Sequence, residues 1–232
     1  LGSVPYLNAK PLCWAIDGAE LLPPPALLER LRRGTLDAAL LSSIEWLKRP
    51  EEFDRVEGLG IASDGAVESV RLYVRGRPAE VRRLKLDPHS LSANALARGM
   101  LAKRFGARFD VVEEEFDAEV VIGDEALRRS GGDYLDLGRE WKEWTGLPFV
   151  FAMWIFRRGL AESERLGREL RRACASGCAR LEEIARVEAG RLGLDAALCL
   201  NYLRSSVRYS IGPREEQGLA RFRGLLQEMG EL

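Results

Sequence analysis

An α/β fold in two lobes is what this sequence predicts, on three observations. Strand-like and helix-like runs alternate through the first two-thirds of the chain, two extended runs divide that alternation, and everything after Ala161 is patterned as helix. Alternation of this kind argues for parallel sheets with helices packed outside them. The extended runs, near 70–77 and 149–156, read as the places where the chain crosses between lobes and returns.

The first strand ends in a turn holding Asn8, and Pro11 opens an amphipathic stretch to Asp17 with Leu12, Trp14 and Ile16. Proline is tolerated in a first helical turn, so Pro23-Pro24-Pro25 reads as a loop and the start of a second helix running to Arg33. A buried strand, Ala38–Leu41, ends in the hydroxyls Ser42 and Ser43 and passes into Ile44–Leu47. Leu59–Val70 reads as a turn followed by a strand carrying Ser69, and Val70–Val74 continues as the first crossing. A fresh β/α pattern then begins: strand Leu84–Leu86, helix Ser92–Phe105, and strands at Val111-Val112 and Val120–Ile122. Phe149–Phe156 is the long returning strand. Beyond it Leu166, Leu170, Ala173 and Leu181 form an apolar stripe broken at Gly190–Gly193, and a last helix carries Leu225 and Leu226. Two β/α units joined by two extended crossings describe a type II periplasmic-binding-protein-like fold with a ligand cleft between the lobes. Lobe I is expected to comprise 1–75 and 155–232, and lobe II 76–154.

Composition narrows the function. Lys and Arg number 35 against 36 Asp and Glu, a net charge of −1 that gives no bulk attraction to nucleic acid or an anionic membrane. No apolar run reaches the roughly 18 residues of a membrane span. No secretory signal is read at the start of the chain, which opens directly in its first expected strand and so leaves a missing leading segment open. Cys13, Cys174, Cys178 and Cys199 form no metal-ligand spacing, and the single histidine, His89, is remote from them. They read as buried small apolar residues in a reducing, cytoplasmic setting. No metal and no cofactor is expected; Gly58-Leu59-Gly60 is too little for a nucleotide loop.

The candidate site residues are short polar side chains at strand ends. Asn8 offers two donors and an acceptor where ligands of open α/β sheets sit, or else it caps the following helix. Ser42, Ser43, Ser90, Ser92 and Asn94 stand at two helix starts, where free N–H groups and the helix dipole favour anions; each serine alone is equally a cap. Asp124 reads as a cap, His89 as a loop residue, and Thr145-Gly146 as a polar edge to the cleft. Trp141, Trp144, Phe149, Phe151 and Trp154 are read mainly as core, with one or two near a ligand.

Four segments in order carry a more specific signal: Tyr6-Leu-Asn-Ala-Lys-Pro-Leu12, Thr35–Trp46, Leu59–Val70 and Asp136–Trp154. Together they resemble the chorismate dehydratase family of the futalosine route to menaquinone. The resemblance implies the bilobal fold, a lyase that dehydrates chorismate to 3-[(1-carboxyvinyl)oxy]benzoate, and no cofactor. It also matches Asn8 and Ser69 to the important positions of the family, the latter within Asp64-Gly-Ala-Val-Glu-Ser69. At the second helix start Ser90 and Ser92 match the family's hydroxyl positions, and Ala93 replaces its last serine. The expected roles are therefore catalytic for Asn8 and Ser69, and substrate-binding for Ser42, Ser43, Ser90, Ser92, Asn94 and Thr145. The expected partner is a small molecule, with the oligomeric state open. A small-anion solute-binding protein of the same fold, or a sister enzyme acting on a cyclised nucleoside, are the alternatives.

Overall fold

A computed structural model describes residues 1–232, divided between two compact units: 1–62 with 150–213, and 63–149 with 214–232. The first unit begins with β1 (Gly2–Ser3), a 3-10 turn at Leu7–Ala9 and α1 (Lys10–Cys13). Pro11 occupies the first turn of α1, where its missing N–H costs nothing. The expected helix to Asp17 is only these four residues, too few to persist without tertiary packing. β2 (Glu20–Leu21), α2 (Pro24–Arg32), β3 (Ala38–Ser42), α3 (Ser43–Lys48) and β4 (Phe53–Ser63) follow. Leu27 and Leu31, one helical turn apart, bury the inner face of α2. Ala38–Leu41 are at most 1% exposed, as befits a strand covered on both faces. The run Leu59–Ser63, expected as a turn, is the second half of β4; the turn comes only after Ser63.

The second unit holds β5 (Val70–Val74), β6 (Arg83–Lys85), α4 (Leu91–Gly99), β7 (Asp110–Val111), β8 (Ala118–Ile122), α5 (Gly123–Arg128), β9 (Tyr134–Asp136) and α6 (Leu137–Thr145). Its five-stranded sheet has the order β7-β6-β8-β5-β9. β6 runs parallel to β7 and β8, and β5 antiparallel to β8 and β9.

β10 (Phe149–Arg157) returns the chain to the first unit, which continues with α7 (Ser163–Cys178), α8 (Leu181–Leu192), α9 (Ala196–Asn201) and β11 (Arg208–Ser210). The six-stranded sheet of this unit has the order β11-β4-β10-β3-β1-β2. β1 lies parallel to β2 and β3, while β10 is antiparallel to β3.

α10 (Pro213–Glu228), expected with lobe I, packs instead in the second unit. Its Phe222 meets Phe149 edge to face at 4.8 Å, and Phe149 meets Trp141 at 5.3 Å. Such pairs contribute about 0.5–1.5 kcal/mol each beyond the area they bury. Trp141 is fully buried with its indole N–H donating to the Pro148 carbonyl at 3.1 Å. These aromatic residues are core. No helix is long and apolar enough to cross a membrane.

Candidate active site

In the first unit the turn after β1 presents Asn8. Its neighbours Leu7 and Ala9 are fully buried and anchor the turn. Asn8 caps nothing: the residue before α1 is Ala9, and no side chain bonds to that helix start. Instead the amide oxygen of Asn8 is buried without any hydrogen-bond partner. Ser42 behaves alike. It stands before α3 without making a cap bond, and its hydroxyl oxygen is also buried and unpartnered. β1 and β3 are adjacent parallel strands, Gly2 opposite Ala39, so both groups lie beyond or at carboxyl ends of neighbouring strands. In open α/β sheets this is the ligand-binding edge.

Trp154 adds a third such atom, an indole N–H that is buried and unpaired. It pairs across the sheet with Leu40, as Ala152 does with Ser42. Directly opposed and alternate residues share a face, so Trp154 and Ser42 project from one side of the sheet. Leaving a donor or acceptor buried and unsatisfied costs roughly 1–3 kcal/mol. With the Tyr209 hydroxyl there are four such atoms in the first unit, those of Ser42 and Trp154 on one face of the sheet, and polar atoms left open in this way suit polar ligand atoms or water. Ser43 has no such freedom: it is fully buried and donates to the Val150 carbonyl at 2.7 Å. It holds β3 to β10, and its expected substrate role is set aside.

The Asn8 turn is held from outside. Lys10 and Glu188 are both buried and form an ion pair at 3.2 Å. Glu188 also receives Arg191 at 2.7 Å, and Arg191 reaches the Pro5 carbonyl at 3.4 Å. Gly177 of α7 lies so close to α1 that a Cβ there would stand 2.1 Å from the Pro11 carbonyl oxygen. Only glycine permits that approach.

In the second unit Ser69 ends the turn that precedes β5 and is fully buried. The turn is unusual. Glu68 has φ +64, and the Ser69 N–H donates to the Val67 carbonyl at 2.8 Å, a three-residue turn in its left-handed, strained form. Asp136, at the start of α6, accepts the N–H groups of Val67 at 3.0 Å and Glu68 at 2.7 Å, besides that of Arg139 at 3.0 Å. Arg71 donates to the Glu68 carbonyl at 2.8 Å. Lys142 of α6 pairs with Asp64 at the front of the turn.

The second helix start is mostly occupied with itself. Ser90 caps α4, accepting from the Ala93 N–H at 3.3 Å, and Ser92 is buried in its first turn. Asn94 accepts from the Asp87 N–H at 3.0 Å and donates to the Asp87 carbonyl at 2.7 Å. That clasp makes Asn94 a loop-holding residue. Burial pushes the Asp87 carboxyl up, against the pull of the His89 N–H bonded to it. His89 itself is exposed. Thr145 donates to the Trp141 carbonyl at 2.8 Å and accepts from the Leu147 N–H at 3.2 Å, so it closes the end of α6.

No three His, Cys, Asp or Glu side chains gather as a metal-holding group. Cys174 and Cys178 lie 3.8 Å apart; the hydrogen bond between them lowers the Cys178 thiol to about 7 and raises that of Cys174. Burial raises the phenol of Tyr209 well above its usual range.

Sequence reasoning counted Trp154 among the aromatic residues, one or two of them near a ligand, without its unpaired N–H, and it missed Asp136. Trp154 was legible as a buried aromatic, but the unpaired N–H depends on its surroundings. Asp136 carried a readable sign, an aspartate directly before an apolar helix start, but its partners lie far off in sequence.

The family described as menaquinone biosynthesis matches residues 1–228. A chorismate dehydratase of Thermus thermophilus is 30% identical over 253 aligned positions, covering 96% of this chain and 93% of that protein. A chorismate dehydratase of Campylobacter jejuni is 34% identical over 132 positions, 56% of this chain and 49% of that protein. Among solved structures, protein AF1704 of Archaeoglobus fulgidus superposes with a TM-score of 0.80 at 15% identity, covering 100% of this chain and 97% of that one. The periplasmic aliphatic sulphonate binding protein SsuA of Escherichia coli gives 0.67 at 15%, covering 99% and 86%. These two likenesses concern the fold alone, and the fold is that of periplasmic binding proteins.

Proposed function

The chain belongs to the menaquinone biosynthesis family and is a dehydratase acting on chorismate, and we propose that Asn8 and Ser69 are the side chains that bring the reaction about. The reaction takes a proton from one ring carbon and hydroxide from its neighbour, and the two leave as water. No electrons are exchanged with a partner. The ring becomes benzenoid, which supplies the driving force, so the protein's task is to position the substrate and stabilise charge as it develops. Asn8 and Ser69 orient the leaving hydroxyl and the reacting edge of the ring. The substrate's own enolpyruvyl carboxylate takes the proton from the ring carbon and passes it to the departing hydroxyl, which leaves as water. Ser42, with the indole N–H of Trp154, supplies further donors, and the start of α4 with Ser90 and Ser92 favours a carboxylate.

The observation that carries this reading is the amide oxygen of Asn8, buried and unpaired within the segment that most specifically resembles the family. A leaving hydroxyl donating to it would satisfy that atom. The resemblance also supports a place on the futalosine route. Four free thiols, two of them adjacent, support work in the cytoplasm.

Incubating purified protein with chorismate and following the ultraviolet spectrum tests the activity: 3-[(1-carboxyvinyl)oxy]benzoate accumulates. Asn8→Ala is expected to lower kcat about 100- to 1,000-fold, the scale of losing one stabilising contact in a catalytic site, with its circular dichroism unchanged. Tight binding of chorismate without conversion by the unaltered protein would overturn the activity, and an undiminished Asn8→Ala variant would overturn the role of Asn8.

A further inference from the structure

We propose that Asp136 is a positioning residue for the dehydration, its carboxylate holding the Val67–Ser69 turn in the left-handed form that presents Ser69 to substrate. This rests on the reading of Ser69 as a substrate-contacting residue. A helix cap needs bonds only to its own helix, and Asp136 makes one, to the Arg139 N–H at 3.0 Å. Its other two bonds, at 3.0 and 2.7 Å, go to Val67 and Glu68 in a different segment. Glu68, at φ +64, is one of only two non-glycine residues with positive φ. Such conformations persist where the surroundings over-determine them, and they gather at functional sites.

The surroundings here do so from both sides of one residue. The Glu68 N–H is taken by Asp136 and its carbonyl by the Arg71 Nε at 2.8 Å. Beyond it the Ser69 carbonyl accepts the Gly123 N–H at 2.7 Å. α6 also leaves the turn no room to relax: a Cβ on Gly138 would stand 2.5 Å from the Gly65 carbonyl oxygen and 2.6 Å from the Ser63 hydroxyl. Ser69 therefore inherits its place from a strained neighbour that Asp136 stabilises.

Two substitutions separate the clamp from the cap. Asp136→Ser keeps a good cap for α6 but is too short to hold two N–H groups of another segment. Asp136→Asn keeps the shape, yet it sets an amide N–H₂ against the Glu68 N–H, donor facing donor. Either variant is expected to lower kcat about 10- to 100-fold with KM within about threefold, as for a misplaced reacting group. Adding Glu68→Gly, which adopts positive φ freely, is expected to restore at least about tenfold of the lost kcat in the Asp136→Ser background.

The variants are assayed for chorismate dehydration beside the unaltered enzyme and Ser69→Ala. A merely structural role predicts lower stability with kcat intact, or a kcat loss that Glu68→Gly leaves in place; either result overturns the inference. Asp136→Ser carries the test if Asp136→Asn does not fold. No dehydration by the unaltered enzyme sinks the reading of the activity, and an unimpaired Ser69→Ala sinks the role of Ser69, each taking the inference with it. With both standing, undiminished Asp136 variants sink the inference alone.

Discussion

The Asn8 turn in the first unit and the Ser69 turn in the second face the same task, holding one small polar side chain still, and they solve it by different physics. Around Asn8 the backbone is relaxed: Tyr6 is extended at φ −72, ψ 154, and Ala9 lies in the right-handed region at φ −86, ψ −19. What holds it is a buried charge pair between Lys10 and Glu188, together with the glycine contact of α7 on Pro11. Around Ser69 the backbone itself is strained at Glu68, and the restraint is a carboxylate bonded to main-chain N–H groups. A charge pair fixes where a segment lies, whereas bonds to successive N–H groups also fix its conformation. The second device suits a residue whose place depends on an unfavourable φ.

The largest expected effect falls on the charge pair. Removing one member of a buried pair strands the other, at about 3–5 kcal/mol. Glu188→Ala strands Lys10, which is 8% exposed, and releases Arg191 as well. Urea unfolding should show that loss, and Lys10→Met with Glu188→Leu should recover most of it, since an apolar pair of similar size is often as stable. If the double replacement stayed as unstable as Glu188→Ala, the pair would be holding more than itself in place. The contrast between the two turns would then lose its basis.

Next come the two glycine contacts. Gly177→Ala would set a Cβ 2.1 Å from a backbone oxygen of α1, and Gly138→Ala one 2.5 Å from a backbone oxygen of the Ser69 turn. Neither neighbour is the flexible end of a side chain, so about 2–3 kcal/mol is expected for each, with Gly177→Ala the more costly. Chemical unfolding of both variants under one set of conditions checks the ranking. A reversed order would mean that the strained turn, not the relaxed one, is the more tightly packed.

These contacts also explain what the sequence could and could not disclose. The fold class was legible, because β/α alternation and the returning strand are local patterns. The turn bearing Asn8 and the hydroxyls of Ser42 and Ser43 were legible as candidates for the same reason. Which hydroxyl is spent was not: the partner of Ser43 is Val150, far along the chain. Asn94 and Thr145 looked available as polar residues, yet both close local loops through backbone bonds. The glycines at 58 and 60 disguised β4 as a turn, since glycine punctuates turns and weakens strands alike. α10 announced an apolar face in its sequence, but not that Trp141 and Phe149 would cover it.

The smallest effect distinguishes the two turns most directly, because one substitution type should act with opposite sign in each. A non-glycine residue in the left-handed region is strained by about 1–2 kcal/mol, and Glu68 sits there at φ +64. Glu68→Gly removes that strain while adding freedom to the unfolded chain, so a net gain of about 0.5 kcal/mol is expected. Ala9, fully buried at φ −86, has no strain to release. Ala9→Gly adds only unfolded-state freedom and loses a packed methyl group, and a loss of about 1 kcal/mol or more is expected. Thermal unfolding of the two variants in parallel reads the signs. Equal losses in both would show that Glu68 is held without cost, and the carboxylate clamp of Asp136 would then be restraining a conformation that needs no restraint.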